Sequence, residues 1–234
     1  MPPASIMDPP AAVRVLAVVP AAGQSVRMGQ PKLLLPWGRQ TVIEAVVAAL
    51  RAGGVDRVLV VVGPKMEALA ERASAAGALI HTLTTPTPDM RSTVEQGLDY
   101  LRRQKLLQEK DGWLLAPADH PTLSAGVVRQ LLAAFATELA TQRNDPPSAA
   151  TEEQSSAGKL ILVPVYQGRR GHPLLVSACC IPALLALPPD QGINALLRHP
   201  AVRVCEVPCD DPAILDDLDT PLDYVRLRER PFSG

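Results

Sequence analysis

The sequence predicts a three-layer α/β/α sandwich of Rossmann-like type, with helices on both faces of a mostly parallel central sheet. Short apolar runs rich in β-branched residues recur along the chain, and segments of helical periodicity separate most of them. Runs that are apolar throughout are typical of parallel strands buried on both faces. The 234 residues, of which 47% are hydrophobic and 20% charged, are enough for one such domain.

The predicted strands and helices alternate along the chain. Strands are expected at 13–19, 55–62, 78–83, 113–116, 160–165 and 202–207. Helices are expected at 41–52, 65–76, 92–104 and 124–139, several of them after the polar residues, glycine or proline that are typical of helix starts. Ligands of such a fold bind at the carboxyl ends of the strands.

Two segments fall outside this pattern. Residues 1–12 are rich in proline, and we expect them to form a disordered N-terminal arm. Residues 141–159 lack apolar periodicity, and we expect a flexible surface insertion there. The sequence therefore predicts a single domain over residues 13–230.

Composition and charge argue against several classes of function. A net charge of −1 and an aromatic content of 3% disfavour nucleic acid as a partner. No apolar run approaches the roughly 18 residues of a membrane helix, and the first residues lack the basic region of a secretory signal. We therefore expect a cytoplasmic protein without membrane contact. Its four cysteines lack zinc-site spacing and are expected to be reduced structural thiols.

A loop rich in glycine and positive charge follows the first predicted strand. From Ala21 to Lys32 it reads Ala-Ala-Gly-Gln-Ser-Val-Arg-Met-Gly-Gln-Pro-Lys. Gly23 and Gly29 let the backbone approach a ligand closely, and Arg27 and Lys32 add two positive charges, so the loop suits a triphosphate. The alternative is a tight turn whose charged side chains point into water. The spacing fits neither a Walker P-loop nor a dinucleotide fingerprint.

Two aspartates, Asp119 and Asp219, are candidate metal ligands. Asp119 follows the fourth predicted strand, so it is expected at the same sheet edge as the loop, and Asp219 precedes a helix that begins near Pro221. Mg²⁺ is usually bound by one or two carboxylates together with substrate phosphates. The alternative for each aspartate is helix capping. Ser124 or Thr122 is better spaced than Asp119 for that role, whereas the local residues alone favour a cap at Asp219.

These motifs resemble those of the MobA-like NTP transferases, the nucleotidyltransferases related to molybdenum cofactor guanylyl- and cytidylyltransferases. The loop from Ala21 to Lys32 resembles their signature loop, and Asp217 to Pro221 resembles their late Asp-x-Asp-Thr-Pro segment. The segment from Met90 to Leu98 resembles their Met-x-Ser-Ser/Thr-x-x-x-Gly motif. Gly171-His172-Pro173 resembles the Gly-His-Pro turn of the cytidylyltransferase branch.

The resemblance implies a GT-A-like nucleotidyltransferase fold and a role for each matching residue. The implied nucleotide-binding residues are Ala21, Ala22, Gly23, Gly29, Lys32 and Ser92, and the implied catalytic residues are Lys32, Arg27 and Asp119. Asp119 and Asp219 would hold Mg²⁺. Arg169, Arg170 and His172 are expected to bind the acceptor phosphate. For Ser92 a simple helix N-cap is the alternative, and for His172 a structural role.

The implied reaction transfers CMP from CTP to a phosphorylated acceptor and releases pyrophosphate. The implied acceptor is the molybdopterin-bound molybdenum cofactor, and the expected protein partner is a molybdoenzyme or its chaperone. CTP is favoured over GTP because the loop opens Pro20-Ala21-Ala22-Gly23, where guanylyltransferases more often have Leu-Ala-Gly-Gly. His120 stands where many relatives carry Met or Gln, which leaves the acceptor open. The alternatives are GTP, a sugar-phosphate acceptor, or a non-catalytic nucleotide- or cofactor-binding protein.

Overall fold

A mixed β-sheet organises the fold. The computed structural model describes residues 13–23, 28–144 and 158–229. In these residues the strands are β1 (Val15–Ala21), β2 (Pro36–Trp37), β3 (Gln40–Thr41), β4 (Arg57–Val62), β5 (Leu79–Thr82), β6 (Gly112–Leu115), β7 (Leu160–Tyr166), β8 (Arg169–Arg170), β9 (Leu174–Ser177) and β10 (Arg203–Pro208). The main sheet has the order β10-β7-β9-β6-β1-β4-β5, and β8 pairs with β7. β2 and β3 form a separate antiparallel pair.

The main sheet is mostly parallel, as predicted. β1 pairs in parallel with β4 and β6, β4 with β5, and β7 with β10. β9 lies between β6 and β7 and is antiparallel to both. β9 is not among the predicted strands, because an antiparallel strand can be joined to its neighbour without the intervening helix that marks a parallel strand in a sequence.

Helices cover both faces of the sheet, which confirms the predicted three layers. They are α1 (Val42–Ala52), α2 (Glu67–Ala75), α3 (Met90–Arg103), α4 (Ala125–Asn144), α5 (Ile181–Leu185) and α6 (Pro221–Arg228). Alternate residues of β1 face opposite ways, so Ala17 and Val19 pack in the core under α1 and α4, whereas Leu16 and Val18 pack in the core under α3. No helix among the described residues is long and apolar enough to cross a membrane.

Most predicted boundaries agree with the structure to within two residues, but the end of α4 does not. This helix continues to Asn144 instead of ending at Leu139, so the predicted insertion at 141–159 begins too early. The remainder of that segment, residues 145–157, lies outside the described residues, as does the predicted arm at 1–12. Residues Ile193–Arg198 form a short 3₁₀ helix.

Gly97 brings α3 close to the sheet. A Cβ atom at this position would lie 2.7 Å from Cγ2 of Val61 in β4 and 3.1 Å from Cγ1 of Val18 in β1. Any larger side chain would therefore push α3 away from the sheet. This close packing keeps α3 near the sheet, so the first turn of α3 lies close to the carboxyl end of β1.

The four cysteines are free thiols, as predicted. Cys180 is fully buried, and burial raises the pKa of its thiol to about 12. Burial also raises the pKa of Cys205 and of Cys209. These thiols are therefore protonated and unreactive near neutral pH, which suits residues that fill the core.

Candidate active site

A cleft of about 480 Å³ opens at the carboxyl ends of β1 and β6. Its walls come from the loop after β1, the loop after β6, the loop that leads into α3, and the segment before α6. The lining residues are Pro20, Ala21, Ala22, Gly23, Lys32, Leu33, Pro86, Thr87, Pro88, Asp89, Met90, Thr93, Pro117, Ala118, Asp119 and Asp219. The cleft lies at the sheet edge where the sequence predicts ligands to bind.

Lys32 joins the two candidate metal ligands. Its Nζ donates a 2.6 Å hydrogen bond to Oδ2 of Asp119 and a 3.0 Å hydrogen bond to Oδ1 of Asp219. The three side chains are largely buried, with 15%, 23% and 32% of Lys32, Asp119 and Asp219 exposed. The predicted convergence of these residues at one edge of the sheet is therefore present in the structure.

The charge balance of this group favours the ammonium form of Lys32. Burial by itself lowers the pKa of the lysine, but the negative charges and hydrogen bonds of Asp119 and Asp219 outweigh it, so the pKa is raised above its ordinary value. Lys32 is thus positively charged throughout the physiological range. A largely buried cation held between two carboxylates is suited to charge stabilisation, because burial reduces the screening of its charge by water.

The local sequence fixes the backbone on both sides of Lys32. Gly29 has φ +64°, a left-handed conformation that glycine adopts without steric cost. After Pro31, residues Lys32–Leu34 form a 3₁₀ turn in which the N–H of Leu34 donates to the carbonyl of Pro31. Leu33 is buried in the core, so this turn is anchored where Lys32 leaves it toward the cleft.

Neither aspartate is a helix cap. Ser124 caps α4, since its Oγ accepts a 3.3 Å hydrogen bond from the N–H of Val127. At α6 the N-cap is Thr220, whose side chain accepts from the N–H of Asp223 in a capping box. The local residues favoured Asp219 as the cap of α6, and this prediction is wrong because the cap is the next residue, Thr220. Both carboxylates are instead directed to Lys32.

The two carboxylates fit a divalent cation, because oxygens from both already converge on a single positive charge, the Lys32 ammonium. Among the described residues, no group of three or more His, Cys, Asp or Glu side chains is arranged to hold a metal ion. Two protein carboxylates suit Mg²⁺, which keeps several waters and is completed by substrate phosphates. They would suit a fully protein-ligated cation less well.

The α3 wall of the cleft corrects one sequence expectation. Asp89, not Ser92, is the N-cap of α3, and its Oδ1 accepts a 2.7 Å hydrogen bond from the N–H of Ser92. Ser92 is absent from the cleft lining, whereas its neighbour Thr93 lines the cleft and shares a 2.6 Å hydrogen bond between its Oγ1 and Oγ1 of Thr87. One residue along a helix turns the side chain by about 100°, which decides which hydroxyl faces the ligand.

The loop that leads into α3 also contributes to the cleft and is not among the predicted site segments. Pro86, Thr87 and Pro88 line the same cleft as Asp119 and Asp219. The alternating Thr-Pro-Thr-Pro run from Thr85 to Pro88 directly after a strand is a signal that could have revealed it, because two prolines stiffen a loop at the ligand edge.

The loop after β1 contributes three of its expected residues to the cleft. Ala21, Ala22 and Gly23 line it, and a Cβ at Gly23 would meet nothing within 4 Å, so the backbone there is open to a ligand. Gly29 provides the turn and is not in the lining. Arg27 lies in the segment 24–27, outside the described residues.

The expected acceptor residues lie outside the cleft lining. Arg169 and Arg170 form β8 and are exposed, and Arg170 makes a 2.8 Å ion pair with Glu206 of β10. The N–H of His172 donates to the carbonyl oxygen of Ile214 at 2.9 Å, which joins the Gly-His-Pro turn to the segment before α6. A Cβ at Gly171 would collide with that same carbonyl, so only glycine allows this approach.

His172 is a neutral residue near the carboxylates. Burial, with help from the neighbouring His120, lowers the pKa of His172 to about 4, although Asp217 and Asp119 partly oppose the shift. Its ring meets that of His120 edge-on, with centroids 5.7 Å apart. Its Nδ1 is buried without a hydrogen-bond partner in the described structure. His172 therefore offers an imidazole that is uncharged at neutral pH, not a cation.

The chain is similar over most of its length to several known proteins. The chain is 28% identical over 215 residues to nicotine blue oxidoreductase of Paenarthrobacter nicotinovorans, covering 91% of this chain and 96% of that protein. It is 26% identical over 219 residues to molybdenum cofactor cytidylyltransferase of Escherichia coli, covering 91% and 95% of the two chains. A nucleotidyl transferase structure from Methanothermobacter thermautotrophicus superposes with a TM-score of 0.70 at 25% identity, covering 92% and 96%.

The family match covers most of the chain and includes the strands that carry the cleft. The profile of the MobA-like NTP transferase domain matches residues 17–204, a span that contains Lys32 and Asp119. The chain thus belongs to the MobA-like NTP transferase family and is a nucleotidyltransferase.

Proposed function

We propose that this nucleotidyltransferase moves CMP from CTP to a phosphorylated acceptor, with the molybdopterin-bound molybdenum cofactor as the favoured acceptor. The observation that carries the proposal is the contact of Lys32 with both Asp119 and Asp219 inside a cleft at the end of β1. The similarity to a cytidylyltransferase over 91% of the chain supports this choice of nucleotide and acceptor.

In the proposed reaction, an oxygen of the acceptor phosphate attacks the α-phosphorus of CTP. A new P–O bond forms, the bond between the α-phosphorus and the bridging oxygen breaks, and pyrophosphate leaves with the electron pair of that bond. No covalent enzyme intermediate is required. Lys32 would stabilise the negative charge that develops on the α-phosphoryl oxygens.

The residues around the cleft would divide the binding of CTP between them. Ala21, Ala22 and Gly23 would contact the triphosphate through backbone N–H groups, with Arg27 and the turn at Gly29 completing the loop. Thr93 replaces Ser92 as the α3 residue that we expect to contact the nucleotide, because it lines the cleft.

Asp119 and Asp219 would hold a divalent cation, and we propose Mg²⁺. Metal use is general among nucleotidyltransferases of this family. When bound, the cation supplies neutralisation of phosphate charge in the transition state. The chain's own contribution is to fix two carboxylate oxygens and one ammonium within hydrogen-bond distance of each other.

On the acceptor side, Arg169, Arg170 and His172 remain our proposed contacts. Arg170 would exchange Glu206 for the acceptor phosphate, since the side chains of both residues are about half exposed. A molybdoenzyme or its chaperone would be the protein that receives the product. We further propose that this nucleotidyltransferase is located in the cytoplasm, a reducing compartment that suits its four free thiols.

A nucleotide panel tests the proposed function. Pyrophosphate release is measured with CTP, GTP, ATP and UTP, each with Mg²⁺ and either molybdenum cofactor or a sugar 1-phosphate as acceptor. The proposal predicts release with CTP and molybdenum cofactor above all other pairs. Faster pyrophosphate release with GTP would show that GTP, not CTP, is the nucleotide substrate, and faster release with the sugar phosphate would show that it is the acceptor. Nucleotide binding without pyrophosphate release in any pair would favour a non-catalytic role.

A further inference from the structure

His120 connects the two segments that carry the carboxylates. It directly follows Asp119, its side chain is 3% exposed, and its Nε2 lies 2.7 Å from Oδ1 of Asp217. Asp217 in turn stands two residues before Asp219. The side-chain contact therefore joins the loop after β6 to the segment before α6.

A backbone hydrogen bond runs beside this contact. The N–H of Leu218 donates to the carbonyl oxygen of Asp119 at 3.2 Å. The segment is also held by the buried side chain of Leu218 and by the hydrogen bond from Lys32 to Asp219. The contact between His120 and Asp217 adds a side-chain attachment to the loop after β6, two residues before Asp219.

The surroundings of His120 restrict the ring itself. One edge meets His172 at a centroid distance of 5.7 Å and an interplanar angle of 85°. His172 is held in turn by its N–H, which donates to Ile214 in the segment before α6. The Asp217 side chain is 66% exposed, so among the described contacts its position depends on His120 more than on packing.

We propose that His120 is a positioning residue whose hydrogen bond with Asp217 sets the separation between the carboxylates of Asp119 and Asp219. The proposal rests on the function proposed above for these two carboxylates. Ligands of a metal site must be held within about 0.5 Å of their working positions, and groups that only orient the ligands typically change metal affinity by about 10- to 100-fold. Loss of this hydrogen bond should therefore weaken cation binding without removing a ligand.

The experiment separates the effect of the hydrogen bond on cation affinity from the effect of the negative charge of Asp217. Free Mn²⁺ is titrated by electron paramagnetic resonance in the presence of the α,β-methylene analogue of CTP, for wild type, five single variants, one double variant and Asp119→Asn. His120→Leu and Asp217→Ala remove the hydrogen bond, whereas His120→Gln and Asp217→Asn keep a donor or an acceptor. Asp210→Ala, an exposed acidic residue of the preceding loop, is the control for losing one negative charge.

The proposal predicts that His120→Leu and Asp217→Ala each weaken Mn²⁺ binding by about 10- to 100-fold. The Gln and Asn variants should retain most of the affinity, and Asp210→Ala should match wild type. The His120→Leu/Asp217→Ala double variant should be little weaker than either single one, because both remove the same contact. If His120→Leu fails to fold, the exposed Asp217 variants still give the comparison.

Three results would overturn the proposal. The first is wild-type Mn²⁺ affinity in His120→Leu or in Asp217→Ala. The second is an equal loss in Asp217→Asn and Asp217→Ala, which would assign the effect to charge alone. The third is unchanged Mn²⁺ affinity in Asp119→Asn, which would also overturn the proposed role of the carboxylates, whereas the first two leave that role intact.

Discussion

The N–H of Leu218 donates a 3.2 Å hydrogen bond to the carbonyl oxygen of Asp119, so two segments far apart in the sequence meet at the cleft. This backbone contact brings Asp219 beside Asp119 and lets Lys32 reach both carboxylates. The chemistry of the site therefore depends on how three chain segments meet at the carboxyl edge of the sheet.

Replacing Lys32 with alanine should reduce turnover far more than nucleotide binding. Its ammonium is proposed to act mainly as negative charge develops on the α-phosphoryl group, so kcat should fall by about 10²-fold or more. Steady-state kinetics gives kcat, and calorimetric titration with the CTP analogue gives the dissociation constant. Lys110→Ala, which removes an exposed lysine remote from the cleft lining, is the matched control.

A Lys32→Ala enzyme with wild-type kcat would show that the lysine has no role in the transition state. A loss of affinity for the CTP analogue with kcat unchanged would instead make Lys32 a binding residue only. Either result would require another residue for charge stabilisation at the α-phosphoryl group.

Asp119→Asn and Asp219→Asn should each abolish most metal-dependent activity, and the double variant should be hardly worse than either single one. Two residues that hold one ion act as a unit, so their effects do not add. Pyrophosphate release is measured across a range of Mg²⁺ concentrations for wild type and the three variants. Additive losses in kcat would mean that the two carboxylates act independently, which contradicts a shared cation.

The sequence pattern predicted that Lys32 and Asp119 lie at one edge of the sheet, because the loops after parallel strands meet at their carboxyl ends. Asp219 was expected there only from the family resemblance, since the local residues favoured a helix cap. Ser92, expected from the sequence to contact the nucleotide, lies outside the cleft lining, whereas Thr93 lines it. The sequence could not separate these neighbouring hydroxyls, because the exact start of a helix is not encoded in its periodicity. The cap at Thr220, one residue after Asp219, was missed for the same reason.

Contacts between distant side chains could not be predicted from one sequence. The hydrogen bond from His120 to Asp217 and the ion pair of Arg170 with Glu206 depend on how loops pack after the sheet has formed. β9 was missed because its insertion between β6 and β7 is a property of sheet order, which local pattern does not specify.

His172 should make the fold less stable in mild acid. Because the pKa of His172 is lowered from 6.5 to about 4 in the folded protein, the unfolded chain binds the proton more readily between these values. The contribution of the neutral ring to the free energy of unfolding is therefore fully present above about pH 6.5 and is lost as the pH falls toward about 4. The whole loss amounts to roughly 3 kcal/mol at most. Urea unfolding at pH 7, 5.5 and 4.5 measures this decline.

The control is His172→Phe, which keeps an aromatic ring but cannot take up a proton. Its free energy of unfolding should fall less between pH 7 and 4.5 than that of wild type, since other acidic groups contribute equally to both. Parallel pH profiles for the two proteins would show that His172 does not titrate in this way.

Arg170→Ala should raise the KM for the acceptor and leave the KM for CTP unchanged. Glu206→Ala should have the opposite effect on the acceptor, because it frees Arg170 from its 2.8 Å ion pair. The exposed pair contributes little to stability, so unfolding should be nearly unaffected by either change. Kinetics with the acceptor varied at saturating CTP checks this, and unchanged acceptor KM in both variants would remove Arg170 from the acceptor site.

The most direct test of the account is a crystal structure with Mn²⁺ and the α,β-methylene analogue of CTP, with the metal located by its anomalous scattering. The account predicts an anomalous peak in contact with carboxylate oxygens of both Asp119 and Asp219 and with the triphosphate in the cleft beside Ala21 to Gly23. A triphosphate bound elsewhere, or a metal that contacts neither aspartate, would contradict the assignment of this cleft as the site of nucleotidyl transfer.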